Sequence, residues 1–170
     1  MHLTRYRSLV FVCLLIPIWI GGGVLERAQA ASTTNSFVVS MTITASCSIS
    51  SATSLAFPST GLLNTAVPAT SSILVLCTNT TPYNIGLDAG ATSGATTTTR
   101  LMANGATTIQ YQLFTNSGHT TNWGNIVGTD TVAATGSGST QTYTVYGLVP
   151  VQTAVAPGNY SDTVTVTVTY

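Results

Sequence analysis

The sequence predicts an all-β protein, an antiparallel β-sandwich with the dimensions of an immunoglobulin domain. Apolar and polar residues alternate in about seven short segments, as they do in strands with one buried and one exposed face. Loops rich in Gly, Thr, Ser and Asn separate these segments, and no long stretch has the period of an amphipathic helix. Two cysteines, Cys47 and Cys77, suit a single disulfide within such a sandwich.

The first 30 residues have the organisation of a secretory signal peptide. Arg5 and Arg7 precede an apolar run at 9–20 that is short for a membrane span, and residues 28–30 form a cleavage site of the A-x-A type. We therefore expect export and cleavage after Ala30. The mature chain of about 140 residues is the size of one domain.

The mature chain is almost uncharged. Arg100 is its one Arg or Lys, and three aspartates bring the net charge to −2. A surface of this kind cannot hold nucleic acid or anionic lipid by charge. No stretch after residue 30 is apolar enough for a membrane helix, so we expect neither nucleic-acid binding nor membrane insertion.

Cys47 and Cys77 are expected to form a disulfide, because an even pair in an exported protein normally does. The bridge would close a loop of about 30 residues, which is worth roughly 3–4 kcal/mol in the chain-entropy model. Two buried free thiols are the weaker alternative. A metal site would need more ligands than His119 offers, so no metal or cofactor is expected.

The strand candidates follow one another at short spacing. In chain order they are the alternating Phe37, Val39, Met41 and Ile43, the short segment 55–57 that stops at Pro58, the apolar run 73–77, the alternating Tyr83, Ile85 and Leu87, the alternating Ile109, Tyr111 and Leu113, and Tyr143 with Val145. The chain ends on the most regular strand, residues 163–170, in which Thr and Val alternate. Its inward-facing side chains are expected to be those of Val164, Val166, Val168 and Tyr170.

No catalytic constellation is visible in the sequence. His119 stands alone in a polar loop, and Asp88, Asp130 and Asp162 are far apart along the chain. We interpret Asp88 as a turn former and Asp162 as a residue at a strand entry. Hydrolysis needs a nucleophile with an oriented base, or paired carboxylates. No enzyme is therefore expected, and an exported hydrolase is the least favoured hypothesis.

Trp123, in the loop sequence NWGN, permits another hypothesis. Aromatic side chains in the loops of β-sandwiches can stack on sugars, which would make the protein a small carbohydrate-binding sandwich. The competing interpretation is a loop Trp folded onto the end of the sandwich, with its indole N–H bonded. We favour the second interpretation, because no cluster of calcium-ligating acids lies nearby.

The two ends of the mature chain carry the pattern that bears on function. Residues 37–45, FVVSMTITA, form a strongly patterned strand candidate at one end, and 163–170 forms an uncharged one at the other. Exposed sheet edges are normally protected by charge, proline or a bulge. A spare strand and an unprotected edge in one chain permit strand addition between chains, and a contact that does not close on itself builds a filament.

These features resemble the spore coat protein U domain, which subunits of archaic chaperone–usher pili use. The resemblance covers residues 37–170. It rests on an ordered set of segments: MTITASCSI, LCTNTTPYNIGLDAG, RLMANGATTIQYQLF, NWG, YTVYGLVP and PGNYSDTVTVTVTY. The last of these, with its terminal tyrosine, is the most specific.

The resemblance implies an incomplete immunoglobulin-like sandwich that lacks its final strand and is completed by donor-strand exchange. A periplasmic chaperone would lend a strand until the outer-membrane usher replaces it with the N-terminal segment of the next subunit. On this sequence the implied organisation is a signal peptide at 1–30, a donor-strand segment at 31–45 and the sandwich domain at 46–170.

The resemblance also assigns roles to residues. The plugs of the donor strand would be Phe37, Val39, Met41 and Ile43. The acceptor groove would be flanked by a strand near 47–49 and by the C-terminal edge, whose groove and chaperone-binding residues would be Val164, Val166, Val168 and Tyr170. Basic residues of the chaperone would hold the C-terminal carboxylate.

The function implied is that of a pilus shaft subunit that supports surface attachment and biofilm formation. The chain would pass through the periplasm to the surface of a Gram-negative bacterium, with the chaperone, the usher and neighbouring pilins as partners. A tip adhesin would carry a further receptor-binding domain, for which we expect no room in this chain. The alternative within the same family is a secreted coat or matrix protein.

Overall fold

The computed structural model describes residues 27–153 and 155–170. The chain divides into two compact units, Met1–Ser40 and Met41–Tyr170. The described part of the first unit, residues 27–40, is exposed and forms neither helix nor strand. Most of the predicted signal peptide lies outside the described residues. Within them, no helix is long and apolar enough to span a bilayer.

The second unit is built from antiparallel β-strands. Its described residues contain β1 (Cys47–Ala52), β2 (Val67–Cys77), β3 (Pro82–Leu87), β4 (Arg100–Asn104), β5 (Thr107–Phe114), β6 (Val132–Thr135), β7 (Thr140–Val149) and β8 (Val166–Thr169). They form a five-stranded sheet in the order β1-β2-β7-β5-β4 and a three-stranded sheet in the order β6-β3-β8. Every pair is antiparallel, which confirms the predicted all-β sandwich.

The core is made of the inward-facing residues of both sheets. Tyr83, Ile85 and Leu87 of β3 are at most 2% exposed, and Tyr111 and Leu113 of β5 are buried with them. All five occupy positions at which the sequence alternates, so the period-two pattern predicted both the strands and the faces that they bury. Complete burial of one large apolar side chain contributes about 1.5–3 kcal/mol.

A disulfide joins Cys47 to Cys77, as predicted. The two residues face each other across β1 and β2, and their Cα atoms are 4.1 Å apart. The bridge closes a separation of 30 residues, for which the chain-entropy estimate is about 3–4 kcal/mol. It fastens β1, which stands at the edge of the five-stranded sheet, to β2.

Two expected strands are not strands in this structure. The prediction for 55–57 is wrong: Leu55 and Phe57 belong to the loop between β1 and β2. They pack on the core over Gly147, where a Cβ atom would lie 2.8 Å from Leu55. Residues 37–43 also form no strand. A segment with alternating residues forms a strand only when a neighbouring strand satisfies its main-chain hydrogen bonds, and no described strand pairs with residues 37–43.

The structure adds two strands that neither the pattern nor the resemblance predicted. β4 is joined to β5 by a two-residue turn in which Gly105 has a φ of 60°, the conformation that favours glycine at the first position of a hairpin turn. β6 has only four residues, two of them alanine, and pairs with β3. Neither strand shows a run of alternating large apolar residues.

Candidate functional site

The last strand stands at the edge of the smaller sheet. β8 pairs with β3, from Leu87↔Val166 to Asn84↔Thr169, and no other described strand pairs with it. β1 is likewise the edge of the larger sheet. The two edge strands come within 8 Å of each other, Cα to Cα, without pairing. Since stacked sheets normally lie about 10 Å apart, the two sheets converge here and leave two unpaired edges side by side.

We call the side of β8 that faces away from β3 the open edge. The valines of this strand point toward the core: Val164, Val166 and Val168 are half-buried and pack against it, while the intervening threonines are exposed. By contrast, Ile85 on the neighbouring β3 is 0% exposed. Half-burial of these inward-facing valines indicates that they line a groove that no described strand covers.

The strand is shorter than predicted, and Tyr170 is exposed. β8 runs over Val166–Thr169 rather than 163–170, and Tyr170 is 59% exposed. The reason is the register, because the last pair between β3 and β8 joins Asn84 to Thr169 and Tyr170 lies beyond it.

The open edge lacks three of the usual protections against a further strand. Residues 163–170 contain no charged residue and no proline, and the pairing of β8 with β3 proceeds without a bulge. Charge, proline and bulges are three of the devices that protect the edge strands of monomeric proteins. The open edge is therefore able to accept another strand.

Asp88, just after β3, fixes the entry into β8. Its main-chain N–H donates to the carbonyl oxygen of Thr165 (3.1 Å), and its carboxylate accepts the N–H groups of Thr165 (2.9 Å) and Gly90 (3.0 Å). Burial raises the pKa of Asp88, but the hydrogen bonds from Thr165 and Gly90 and the charge of Arg100 outweigh it, so that the pKa lies below its ordinary value. The ionised carboxylate is therefore the form that holds β8.

Asp162 holds the segment that precedes β8. One carboxylate oxygen accepts the N–H groups of Ala91 (2.9 Å) and Thr92 (3.2 Å), and the other accepts the hydroxyl of Tyr111 (2.6 Å). Burial and the bond to Asp162 raise the pKa of Tyr111 far above its ordinary value, so this hydroxyl remains a donor. The chain thus enters β8 between two fixed carboxylates.

Arg100 organises the same end of the sandwich from inside. It is 0% exposed, and its guanidinium donates to the carbonyl oxygens of Leu87 (2.9 Å), Asp88 (2.8 Å), Thr97 (2.6 Å) and Trp123 (2.8 Å). Burial lowers its pKa, but arginine remains charged at any ordinary pH. One side chain therefore ties together the end of β3, the approach to β4 and the loop after β5.

Acid is expected to weaken the contact between Asp88 and β8. Because the folded-state pKa lies below the ordinary 3.8, the carboxylate stabilises the fold above that value, and the contribution is lost as the pH falls from there through the folded-state pKa. In urea denaturation, Asp88→Asn should lower the free energy of unfolding at neutral pH by about 1 kcal/mol. It should also flatten the loss of stability between about pH 5 and pH 2. Equal acid slopes in the two proteins would contradict this role.

Comparison with known proteins agrees with this geometry. The Spore Coat Protein U domain family matches residues 33–167, which is most of the chain. The chain belongs to this family. No curated protein sequence matches it.

A solved structure shares the fold of this Spore Coat Protein U domain. It is one chain of the crystal structure of the CsuC–CsuE chaperone–tip adhesion subunit pre-assembly complex, from the archaic chaperone–usher Csu pili of Acinetobacter baumannii. The TM-score is 0.56 at 24% sequence identity, over 76% of this chain and 40% of that chain. Our chain thus spans less than half of that one. At this identity the likeness concerns the fold, and it confirms the predicted incomplete immunoglobulin-like sandwich.

Trp123 is a core residue of this Spore Coat Protein U domain. It is 1% exposed, and its indole N–H donates to the carbonyl oxygen of Ile85 at 2.8 Å. An indole ring covered in this way offers no face to a sugar. The interpretation of Trp123 as a loop residue folded onto the sandwich is confirmed, and the carbohydrate-binding hypothesis loses the residue on which it rested.

The polar side chains singled out in the sequence have structural partners. Asp88 and Asp162 accept the bonds described above, and the His119 ring packs edge to face on Phe114 with centroids 5.3 Å apart. Among the described residues of this Spore Coat Protein U domain, no group of three or more His, Cys, Asp or Glu is placed to hold a metal ion.

The predicted plugs lie in solvent. Their side chains are between 76% and 87% exposed, the set being Phe37, Val39, Met41 and Ile43. Isolated apolar side chains at a protein surface are ordinary, but four at alternate positions form one continuous apolar face when the segment is extended.

Proposed function

We propose that this chain is a structural subunit of a chaperone–usher pilus that polymerises by donor-strand exchange and supports surface attachment and biofilm formation. The observation that carries the proposal is the open edge: a row of half-buried valines along the unpaired edge of an uncharged strand, beside the unpaired edge of β1. Such an edge favours the addition of a strand from another molecule.

The donor segment has the dimensions that the open edge requires. Residues 37–43 extend to about 23 Å at 3.3 Å per residue, and residues 163–170 to about 26 Å. Burial of the four plug side chains would contribute on the order of 6–12 kcal/mol before the cost of ordering the segment. This is the scale of stability of a whole domain, so the completed sandwich would be far more stable than the open one.

The same geometry supports the partners that we propose. An exposed apolar groove has to be covered during export, and a periplasmic chaperone that lends a strand would cover it. Tyr170, which is exposed, would be accessible to that chaperone. An outer-membrane usher would then exchange the chaperone strand for the donor segment, residues 31–45, of the next subunit. In this role the protein is a filament subunit and not an enzyme.

A peptide that covers residues 33–45 should stabilise the mature chain purified with its chaperone. Occupancy at 100 times the dissociation constant adds about 2.7 kcal/mol, which corresponds to a rise in Tm of roughly 10 °C for a domain of this size. The measurement is thermal unfolding followed through Trp123, the one tryptophan of the mature chain. The matched control is the same peptide with Met41→Asp and Ile43→Asp, which should give no rise. The proposal would be contradicted if the mature chain were monomeric and stable alone and its Tm did not change with the unmodified peptide.

The alternative is a secreted coat or matrix protein of the same family, which the description of the family favours. A coat protein that does not polymerise by strand exchange would have a groove filled by its own chain and would not respond to the peptide. The peptide titration therefore separates the two functions.

A further inference from the structure

A cleft of about 460 Å³ opens in the side of the sandwich, between β6 and the first half of β7. Six of its twelve lining residues are threonines and two are tyrosines, and Asp130 is the single charged residue among them. The volume lies within the usual range of ligand sites, about 300–1,000 Å³, but such sites are mostly apolar. A lining of hydroxyl groups therefore indicates a polar ligand.

β7 leaves part of one edge unpaired beside this cleft. β2 pairs with β7 along its whole length, whereas β5 pairs only with residues 146–148. No described strand pairs with residues 142–145 on the side of β5. The main-chain groups on that side are therefore available to a ligand.

The hydrogen bonds of β5 show which residues of β7 direct main-chain groups into the cleft. Leu113 lies opposite Gly147, but its carbonyl accepts the N–H of Trp123 (2.9 Å) and so points away from β7. Gly147 is then bonded to β2, and bonded positions alternate along an antiparallel strand. Thr142 and Thr144 lie at odd separations from Gly147, so their N–H and C=O groups point to the unpaired side.

The cleft is bounded at both ends. At one end, Nε2 of Gln141 donates to the carbonyl of Thr135 in β6 (3.2 Å), and its Oε1 accepts the hydroxyl of Tyr83 (3.1 Å). At the other end, β5 begins to pair with β7 at Tyr146. The free stretch, 142–145, extends to only about 13 Å at 3.3 Å per residue, which is shorter than a usual strand. The cleft therefore suits a compact ligand better than an added strand.

Three side chains of the cleft keep polar groups that no described residue satisfies. One carboxylate oxygen of Asp130 accepts the N–H of Ile126 (2.7 Å), and the other accepts no hydrogen bond within residues 27–153 and 155–170. The amide of Asn122 and the hydroxyl of Tyr146 are likewise without a partner in the described chain. Every fully buried side-chain N or O atom of these residues has a partner. The three free groups are therefore open to solvent, and so to a ligand.

We propose that this cleft binds a neutral saccharide. Each sugar hydroxyl both donates and accepts, which matches main-chain N–H and C=O groups, threonine hydroxyls and the amide of Asn122. The free oxygen of Asp130 can accept a charge-assisted bond from such a hydroxyl. An anionic ligand is disfavoured, because the cleft contains a carboxylate and no cation.

The tyrosines supply the apolar surface on which a sugar ring packs. Tyr146 is half-buried at the cleft, and Tyr143 is fixed by a bond between its hydroxyl and that of Tyr83 (2.6 Å). Trp123 belongs to the floor and, at 1% exposure, offers no ring face. The site thus differs from the one that the sequence suggested around Trp123.

The site goes beyond the proposed function and does not depend on it. β6 and β8 are opposite edges of the smaller sheet, so a strand added at the open edge leaves the cleft free. In a filament each subunit would present one cleft, and a polysaccharide that spans several clefts would bind with avidity although each site is weak.

The test is calorimetric titration of the mature chain, purified with its chaperone, with neutral trisaccharides of glucose, mannose, galactose and N-acetylglucosamine. We expect at least one of them to bind with a Kd of about 0.1–1 mM. Asp130→Asn, which keeps the shape and the bond to Ile126, and Tyr146→Ala should each weaken binding about tenfold. Tyr170→Ala removes an exposed tyrosine outside the cleft and should bind within about twofold of the wild type.

Thermal unfolding of each variant shows whether it is folded, and Asn122→Ala with Asp130→Asn decides the question if Tyr146→Ala is not. The inference is overturned if no neutral trisaccharide binds below about 10 mM. It is also overturned if folded cleft variants bind as the wild type does, or if a trisaccharide of glucuronic acid binds more tightly than every neutral one. None of these outcomes bears on strand addition, which the peptide 33–45 tests.

Discussion

Replacement of Arg100 by methionine is expected to cost the domain about 3–5 kcal/mol of its free energy of unfolding, the range found when one partner of a buried charged network is removed. Methionine has a similar length and no donors. Carbonyl oxygens at four places would lose their partner at once, in two buried and two part-buried contacts. An open sandwich with a stability near the lower end of the usual range of about 5–15 kcal/mol would not remain folded.

Replacement of Arg100 has two opposing effects on the free energy of unfolding, and their relative sizes decide whether the variant is more or less stable. Removal of a buried guanidinium abolishes the cost of its own desolvation, which favours the variant. Each buried acceptor left without a donor costs about 1–3 kcal/mol. Arg100 serves two buried contacts, to Leu87 and Trp123, and two part-buried ones, to Asp88 and Thr97. Asp88 would also lose the nearby positive charge that lowers its pKa. The cost of the unpaired acceptors exceeds the gain from removing the buried charge, so the variant should be less stable.

The measurement is urea denaturation followed through Trp123, whose carbonyl is one of the four acceptors. Arg100→Lys is the matched control, because lysine keeps the charge but cannot span four carbonyl oxygens with one nitrogen. We expect it to fall between the wild type and Arg100→Met. A methionine variant within 1 kcal/mol of the wild type, on the order of a single hydrogen bond, would contradict the assigned role.

The sequence pattern predicted the strands that bury large residues at every second position. β3 and β5 show this rule directly, since Tyr83, Ile85, Tyr111 and Leu113 are all buried. The pattern did not predict β4, which begins at a buried arginine, or β6, where alanine leaves too little difference in side-chain size between the two faces of the strand. Period-two reasoning detects contrast in side-chain size and polarity, and these two strands have little.

The roles of Asp88 and Arg100, which organise the entry into β8, could not be predicted from the sequence for a different reason. Asp88 was interpreted as a turn former, and its bond to the N–H of Gly90 agrees. Its second partner, Thr165, is 77 residues away in the chain, and no local pattern links the two. Burial of Arg100 was equally hidden, since charged residues are almost never fully buried without partners and its partners are main-chain carbonyls. The absence of Lys was the one signal: a lone Arg in a domain whose other charged side chains are three aspartates is a candidate for an internal role.

The open edge itself was the best-predicted part of the site, because it depends on short-range features. The alternation of Thr and Val, the lack of charge and the terminal position could all be seen in residues 163–170. The exposure of Tyr170 could not, since it depends on where the register with β3 ends.

Substitution of aspartate for both Met41 and Ile43 is expected to abolish polymers of the mature chain. Each plug would carry a carboxylate into a groove whose wall is valine, and desolvation of an unpaired ion costs several kcal/mol. The affinity of the donor segment should fall at least about a thousandfold, which corresponds to roughly 4 kcal/mol. The measurement is the length distribution of polymers formed after removal of the chaperone, by electron microscopy and by light scattering.

The chain itself supplies the matched control. Ser40→Asp with Thr42→Asp adds the same charge to the same segment, on the face that would point away from the groove when the segment is extended. These polar positions should tolerate it, and this variant should polymerise.

Both variants keep the open edge, so both should bind the chaperone and accept the unmodified peptide 33–45. A Met41 and Ile43 variant that forms polymers of normal length would show that another segment serves as the donor strand. Loss of polymers in both variants would indicate that the added charge itself prevents polymerisation. Only a difference between the two variants would show that polymerisation depends on the apolar plugs.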